Sequence, residues 1–274
     1  SAMASLLMEQ GITFDYVCGI SAGASNTVNF LSGDIQRTRE SFVDLVMEPE
    51  FGGLSTFLQG KGMFSAEWIY EETGLPGGVL PFNFDAFWNN PTPCAIQGFD
   101  RDTGETVVWR KEDMATLKDL MVRVRASSTL PFVMPAVHID GHVYYDGGLG
   151  QGAGIPLQLA LDSGCSRIFA ILTRPKGFRK PAPDIGRSAR MIANSYHKYP
   201  YVREALLTRN ERYNAELEKL EQLAAEGKAY IVYADKMAVE NNTTDIKKLR
   251  SSYFDGYNQA QKEFPRWLEW LGIE

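Results

Sequence analysis

The sequence predicts an α/β fold with a mostly parallel central sheet and helices on both faces. Three observations lead to this prediction. Short, β-favouring apolar runs alternate with helical patterns along most of the chain. The chain has 274 residues, enough for one large α/β unit or two smaller domains. Hydrophobic residues make up 44% of the total, which supplies a sizeable core.

Seven short segments are predicted as strands, because each is rich in β-branched or aromatic residues and is bounded by turn signals. They are residues 14–18, 94–97, 106–109, 136–140, 142–145, 167–172 and 229–233. A turn tripeptide, Asp102-Thr103-Gly104, separates the second strand from the third. Asp140-Gly141 separates the fourth from the fifth and is the preferred signal for a hairpin.

Apolar residues at helical spacing predict helices between these strands. They are residues 4–10, 22–31, 38–47, 113–124 and 155–161. Gly11 follows the first helix and Gly33 the second, where glycine commonly ends a helix. Residues 51–93 are instead rich in glycine, proline and aromatic residues, which predicts loops and short helices. Their aromatic side chains either line or cover an apolar cleft or pack as ordinary core, and both interpretations stay open.

The character of the sequence changes after Pro181. The segments that follow are charged and helical in pattern, with leucines at the spacing of a surface helix. They are residues 185–196, 202–226 and 245–271. The proline-containing segment 180–184 is the best candidate for a boundary. We therefore predict a first domain at residues 1–180 and a mainly helical extension with one strand at residues 181–274.

Charge and composition exclude several classes of function. Lys and Arg number 28 against 34 Asp and Glu, and this net charge of −6 opposes binding to nucleic-acid phosphates. No apolar run approaches the ~20 residues of a membrane-spanning helix. The first residues lack the basic start of a signal peptide, so we expect a cytoplasmic protein. Three separated cysteines predict free thiols, and no motif indicates a metal site or a cofactor.

A predicted strand, a tight turn and a predicted helix meet at Gly19-Ile20-Ser21-Ala22-Gly23. The pattern G-x-S-x-G is typical of a serine on a sharp turn between a strand and a helix. We expect both glycines to be required, because a side chain two residues before or after the serine would collide with a neighbouring element. The N–H groups that start the helix favour developing negative charge. Ser21 is therefore a candidate nucleophile, and a plain glycine-rich turn is the alternative.

A serine nucleophile needs a base that removes its proton. The sequence has three histidines, which are His138, His142 and His197. Each is assigned a structural or surface position. Asp146 is the better candidate for the base, because it follows a predicted strand and precedes Gly147 and Gly148; a simple turn-capping role is the alternative. If Asp146 is the base, its carboxylate should lie within about 3.5 Å of the Ser21 hydroxyl.

Residues 19–23 together with residues 146–148 resemble the patatin-like phospholipases, which use a Ser-Asp dyad without histidine. The resemblance covers nearly the whole chain, and the C-terminal part resembles the extension of cytoplasmic bacterial members. It implies a three-layer patatin-like sandwich with the catalytic domain at residues 1–180. It also implies Ser21 as nucleophile, Asp146 as base, and hydrolysis of lipid acyl esters through an acyl-serine intermediate.

The same resemblance implies an oxyanion hole built from a glycine-rich loop after the family's first strand, and the 274 residues contain no such loop. The N–H group of Ala22 is the candidate for a remaining donor. Three functions stay open: a lipid acyl hydrolase, an acyltransferase on the same fold, and an inactive lipid-binding protein that lacks the oxyanion loop.

The expected partner is a lipid or ester substrate, with peripheral contact to a membrane surface and no nucleic acid. A small basic cluster follows the sixth predicted strand and consists of Arg174, Lys176, Arg179 and Lys180. These side chains fit the anionic head groups of lipids. A solvent-exposed loop is the alternative interpretation of the cluster.

Overall fold

A mixed five-stranded sheet lies at the centre of the fold. The computed structural model describes residues 1–182, 186–236, 239 and 243–273. The sheet consists of β1 (Val17–Gly19), β2 (Cys94–Asp100), β3 (Thr106–Arg110), β4 (Val137–Ile139) and β5 (His142–Asp146). Two further strands, β6 (Ile168–Ile171) and β7 (Ala229–Val232), pair with each other in parallel. All seven predicted strands are therefore confirmed, with bounds that shift by a few residues.

Strand β2 organises the central sheet, because all of its residues are buried and it has three partners. Strand β3 pairs with it in antiparallel along one edge. On the other edge, β1 pairs in parallel with its first residues and β5 in antiparallel with its last residues. This register sets Gly19 opposite Ile96 and Asp146 opposite Gly98. The ends of β1 and β5 therefore meet on either side of Gln97.

The α/β class is confirmed, but the prediction of a mostly parallel sheet is wrong for the described pairings. The pairs β1–β2 and β6–β7 are parallel, whereas β2–β3, β2–β5 and β4–β5 are antiparallel. Short connections explain two of the three antiparallel pairs: residues 101–105 join β2 to β3, and Asp140-Gly141 joins β4 to β5. Connections this short reverse the chain direction, whereas a parallel pair needs a long crossover.

Helices flank both sheets in the described part of the chain. They are α1 (Ala2–Glu9), α2 (Ala22–Ser32), α3 (Ile35–Glu40), α4 (Leu54–Leu58), α5 (Phe84–Asn89), α6 (Leu117–Ser128), α7 (Leu157–Asp162), α8 (Arg187–Ser195), α9 (Pro200–Ala225) and α10 (Ile246–Leu271). Shorter helical segments occupy Leu45–Met47, Trp68–Glu72, Lys111–Met114, Gly147–Leu149 and Gln151–Gly154. The predicted loops and short helices of residues 51–93 are confirmed.

Two predicted helices differ from the observed ones because side-chain caps set where they start. The Asp34 side chain caps α3, so that this helix begins at Ile35 rather than at the predicted residue 38. Helix α3 ends at Glu40, and the end of the predicted helix forms a separate 3₁₀ segment at Leu45–Met47. The Thr116 side chain caps α6, so that this helix begins later than the predicted start at residue 113. The residues just before it form a 3₁₀ segment instead.

Several apolar cores connect the C-terminal helices to the rest of the fold. The main core lies between the central sheet and helices α2, α5 and α6. A second core joins α1, α10 and the β6–β7 pair around the fully buried Trp267. A third packs α9 against β7 through Leu217 and Leu220. The predicted boundary at 180–184 and the predicted helix start at residue 185 fall partly outside the described residues, so the division after residue 180 stays a prediction.

Three general features complete the description of the fold. The cysteines, Cys18, Cys94 and Cys165, are free thiols, as predicted. In the described ranges, none of the helices combines the length and the apolar character that crossing a membrane requires. Among the same residues, no group of three or more His, Cys, Asp or Glu side chains is placed to hold a metal ion.

Candidate active site

Ser21 stands at the turn between β1 and α2. Its backbone has φ 58° and ψ −121°, a conformation that residues with a side chain rarely adopt. Only Ile20 and Ser21 separate the last residue of the strand from the first residue of the helix. This is the geometry expected of the G-x-S-x-G motif. It places the half-buried serine side chain beyond the end of β1 rather than inside the helix.

The two glycines of the motif differ in what surrounds them. A Cβ on Gly19 would lie 2.1 Å from the carbonyl oxygen of Gly23 and 2.7 Å from Thr27 Oγ1, so only glycine fits there. A Cβ on Gly23 would meet no atom within 4 Å. The expected collision is therefore confirmed for Gly19 and wrong for Gly23. Gly23 approaches its neighbour with its backbone carbonyl, while its side-chain position faces open space.

The Ser21 hydroxyl donates a hydrogen bond of 2.6 Å to Asp146 Oδ2, across 125 residues of sequence. The expected approach within about 3.5 Å is thus confirmed. The register of the sheet explains the contact, because β1 and β5 end opposite Ile96 and Gly98, which are two positions apart on the same edge of β2. Ser21 follows the end of β1 and Asp146 is the last residue of β5, so the two side chains lie where the ends of these strands are close together.

The loop after Asp146 is fixed by close contacts with β2. Gln97 is buried and donates through Nε2 to the carbonyl oxygen of Gly147 at 2.8 Å. A Cβ on Gly147 would lie 2.1 Å from the carbonyl oxygen of Gln97, and a Cβ on Gly148 would lie 2.8 Å from Asp146 Oδ1. The N–H group of Gly148 donates to that same oxygen at 2.6 Å. Gly147 therefore allows the loop to pack against the Gln97 backbone, and Gly148 allows it to approach the Asp146 carboxylate.

Asp146 lies in a setting that strengthens it as a base. The residue is only 2% exposed, and this burial raises the pKa of its carboxyl above the ordinary range. Hydrogen bonds from Ser21 and from the Gly148 N–H group and the charges of Arg209 and Lys180 oppose the rise without cancelling it. The carboxylate is therefore more basic than that of an exposed aspartate.

One segment at the C-terminal end of α6 contacts both members of the pair. Ser127 Oγ accepts a hydrogen bond from the Ser21 N–H group at 3.0 Å. The carbonyl oxygen of Thr129 accepts one from the Asp146 N–H group at 2.8 Å. Ser127 and Thr129 are both fully buried. This segment therefore fixes the backbones of Ser21 and Asp146 relative to each other.

Comparison with known proteins assigns a family to this arrangement. Residues 2–161, which include the turn at Ser21, the central sheet and Asp146, match the family model described as patatin-like phospholipase. The chain belongs to the patatin-like phospholipase family. This is a family of lipid acyl hydrolases. Residues 199–272 match a model described as a domain of unknown function (DUF6363). The comparison with curated proteins gave no match.

The region matched to the domain of unknown function contacts the patatin-like site directly. On α9, Arg209 Nε donates to the carbonyl oxygen of Gly148 at 3.0 Å. Arg212 Nη2 donates to the carbonyl oxygen of Leu149 at 2.8 Å, and its Nη1 donates to that of Gly150. Helix α9 thus holds three successive carbonyl groups of the loop that follows β5.

A cavity of about 1610 Å³ in this patatin-like fold extends from α1 and β6 to α10. Its lining includes Ser21 and Asp146. Apolar side chains also line it, among them Phe51, Phe64, Ile69, Leu130 and Met134. Phe82 and Phe87 belong instead to the main core. Both interpretations of the aromatic region are therefore correct for part of it.

The histidines are not part of the site, and none of the three lines the cavity. His142 Nδ1 lies 2.8 Å from Asp100 Oδ2 at the other end of β5. His197 Nδ1 lies 2.9 Å from the carbonyl oxygen of Asn194 at the end of α8. The assignment of these two side chains to structural positions is therefore confirmed, which leaves Asp146 as the group hydrogen-bonded to the Ser21 hydroxyl.

Ala22 lines the same cavity at the start of α2. The first N–H groups of a helix have no acceptor within the helix. In the described part of the chain, no acceptor takes the hydrogen of the Ala22 N–H group. This group is therefore free to donate to an oxygen beside Ser21. The catalytic roles of Ser21, Asp146 and Ala22 stay predictions.

Proposed function

We propose that the protein hydrolyses the ester bonds of phospholipids or related lipids, with Ser21 as nucleophile and Asp146 as general base. The observation that carries this proposal is the 2.6 Å hydrogen bond from the serine hydroxyl to a buried carboxylate. Proton transfer requires direct hydrogen-bond reach of this kind. The positive φ of Ser21 adds support, because strained backbone is concentrated at functional sites.

In the first half of the reaction, Asp146 Oδ2 accepts the hydroxyl proton while Ser21 Oγ attacks the ester carbonyl carbon. The carbonyl oxygen becomes an oxyanion, to which the Ala22 N–H group donates a hydrogen bond. The intermediate then expels the alcohol, which takes the proton from Asp146 and leaves an acyl-serine ester. In the second half, water gives its proton to Asp146 and attacks the acyl group. Ser21 Oγ leaves with that proton as the free fatty acid forms.

Exposed apolar side chains support contact with a lipid surface. Phe57, Leu58 and Met63 are exposed, with Leu58 at 76%, and so is Phe132 on another segment. The Met63 N–H group donates to the carbonyl oxygen of Val133 at 3.0 Å, which brings the two segments together. Neighbouring residues of the same segments line the cavity. Clustered exposed apolar residues are typical of surfaces that meet a membrane, so we assign peripheral membrane contact to this face.

A fluorophosphonate probe tests the proposed nucleophile, because such probes form adducts with activated serines. We expect intact-mass measurement to show one adduct on the wild type and none on Ser21→Ala. Ser251→Ala is the matched control, since Ser251 is an exposed serine on α10, and it should label at the wild-type rate. A wild-type protein that does not label would instead favour the inactive lipid-binding alternative. Labelling of Ser21→Ala at the wild-type rate would contradict the assignment of Ser21.

The raised pKa of Asp146 predicts the acid side of the pH profile. Because the base must be ionised, kcat/KM for a p-nitrophenyl ester should fall as the pH decreases through that pKa, above the ordinary value of 3.8. Lys180 lowers the pKa of Asp146, so Lys180→Met should move this limb to higher pH. Lys176→Met removes an exposed charge from the same loop and should leave the limb in place. A wild-type rate that stays constant down to pH ~4 would refute Asp146 as the base.

A further inference from the structure

Several basic side chains line the cavity that contains Ser21 and Asp146, and three of them lie together: Arg174, Lys180 and Arg209. The charges of Arg174 and Arg209 act on Lys180, and those of Lys180 and Arg209 act on Asp146. Arg174 follows β6, Lys180 precedes α8 and Arg209 lies on α9. All three lie outside residues 2–161, which match the patatin-like model, and Arg209 lies inside the region matched to the domain of unknown function. The C-terminal part of the chain therefore supplies positive charge to the site.

Arg209 is held near the carboxylate of the pair. A Cβ built on Gly148 would lie 2.8 Å from Asp146 Oδ1 and 2.9 Å from Arg209 Nη2. The Nε of Arg209 is fixed by its hydrogen bond to the carbonyl oxygen of Gly148. Arg209 Nη2 therefore lies near Asp146 Oδ1 without forming an ion pair with it, while Nε anchors the side chain.

Lys180 is also held in place. Its backbone N–H and C=O groups both bond to the Asn214 side chain on α9, at 2.9 Å each. Its ammonium group lies 4.0 Å from the centre of the Tyr213 ring. Arg174 lies 4.8 Å from the ring of Phe178 in the same way. Contacts with aromatic rings orient the two cations without neutralising them.

These three charges lack the carboxylate partners that neutralise other basic residues. Arg179, from the same loop, forms an ion pair with Glu221, whereas Arg174, Lys180 and Arg209 form none with any described residue. Burial, followed by the repulsion of Arg209 and Arg174, lowers the pKa of Lys180 to about 7. An anion that carries more than one charge would relieve this repulsion.

We propose that Arg174, Lys180 and Arg209 form a subsite that binds a phosphate group next to the Ser21–Asp146 pair. The proposal rests on the proposed function for its substrate, a phosphate-bearing ester. Guanidinium groups match the oxygens of phosphate in a two-pronged geometry, and an ammonium group adds a point charge. In a glycerophospholipid, the phosphate and the acyl esters are attached to the same three-carbon glycerol. A phosphate subsite beside the nucleophile therefore places an acyl ester at Ser21.

Direct binding tests the subsite without requiring catalysis. Inorganic phosphate and glycerol phosphate are titrated into the full-length protein by calorimetry, with Arg174→Gln, Lys180→Met and Lys176→Gln as variants. We expect the Kd for both ligands to rise about 10-fold in the first two variants. Lys176→Gln removes an exposed charge from the same loop and should bind as the wild type does. Equal affinity in all four proteins, or no binding to any, overturns the subsite.

Turnover then distinguishes the two sources of phosphate. The substrates are dibutyryl glycerophosphate and its neutral analogue, dibutyryl glycerol. If the head group is the ligand, the ratio of kcat/KM for the phosphate ester to that for the neutral ester falls about 10-fold in Lys180→Met and Arg174→Gln. An unchanged ratio with weakened calorimetric binding assigns the subsite to free phosphate. Intact phosphate binding without hydrolysis of either ester would refute the proposed function and leave the subsite standing.

Discussion

Replacing Ser21 by alanine is expected to lower kcat for ester hydrolysis by at least about 10⁴-fold, and Asp146→Asn by a similar factor. In the Asn variant, the amide oxygen takes the hydrogen bond from the Gly148 N–H group, so the NH₂ group faces Ser21. An NH₂ group is a donor and cannot accept the hydroxyl proton. Steady-state kinetics with a short-chain p-nitrophenyl ester measures both effects.

The double variant, Ser21→Ala with Asp146→Asn, tests whether the two residues act in the same catalytic step or contribute to the rate independently. Groups that act in one step are not additive, so the double variant should be no slower than the slower single variant. If the two losses multiply, the residues act separately and the dyad is refuted. Ser251→Ala again serves as the control, since its side chain lies on the exposed face of α10.

Thermal unfolding of Asp146→Asn adds a readout that a merely structural aspartate would not give. A carboxyl whose pKa is raised by folding stabilises the protein below its unfolded pKa, and this contribution is lost as the pH rises through the folded pKa. At pH 7 the ionised group therefore costs stability, which a neutral amide does not. We expect the Tm of Asp146→Asn to exceed that of the wild type at pH 7, with a difference that shrinks towards pH 4. A lower Tm at pH 7 would mean that Asp146 serves mainly to hold its loop.

Ser21 and Asp146 could be predicted from the sequence, because each lies in a short and recognisable sequence pattern. Ser21 lies between an apolar strand and a helix, so its own neighbours predict it. Asp146 lies at a strand end before two glycines, and it is preferred over a turn-capping role only because a serine nucleophile needs a base. The contact between them depends on the register of β2, which spaces their partners two residues apart. In the sequence, the two motifs are joined by the need of a serine nucleophile for a base and by the resemblance to the patatin-like phospholipases.

Other parts of the site carry no local signal. Arg209 and Arg212 lie on a long charged helix, where arginines at such spacing indicate a solvated face. Their partners are backbone carbonyl groups of a loop about 60 residues away, and such partners leave no pattern in side-chain identity. Ser127 is similar, since a small polar residue near a helix end is common. For Gly23, the sequence predicted a side-chain collision that the structure does not show. The motif shows that a glycine is present but not which of its atoms lie close to a neighbour.

Gly19→Ala is expected to destabilise the fold by about 3 kcal/mol or more, which corresponds to a fall in Tm of at least roughly 6 °C. The added methyl group would lie 2.1 Å from the carbonyl oxygen of Gly23 and 2.7 Å from Thr27 Oγ1, so β1 and α2 must separate. That movement displaces Ser21, which lies between them, from Asp146. A displacement of about 1 Å at a reacting atom costs about 10²-fold in rate, so kcat should fall together with the Tm.

Gly23→Ala is the matched control, because it adds the same methyl group to the same motif at a position with no atom within 4 Å. Gly23 lies in the first turn of α2 and its φ is not positive, so alanine fits there without strain. Alanine stabilises a helix by about 0.5–1 kcal/mol relative to glycine, so the Tm should stay the same or rise. Differential scanning fluorimetry compares the two variants directly. If both variants lose the same stability, the close approach of Gly19 to α2 does not stabilise the turn at Ser21. If only Gly19→Ala does, the strand–helix contact is what keeps Ser21 in its strained conformation beside Asp146.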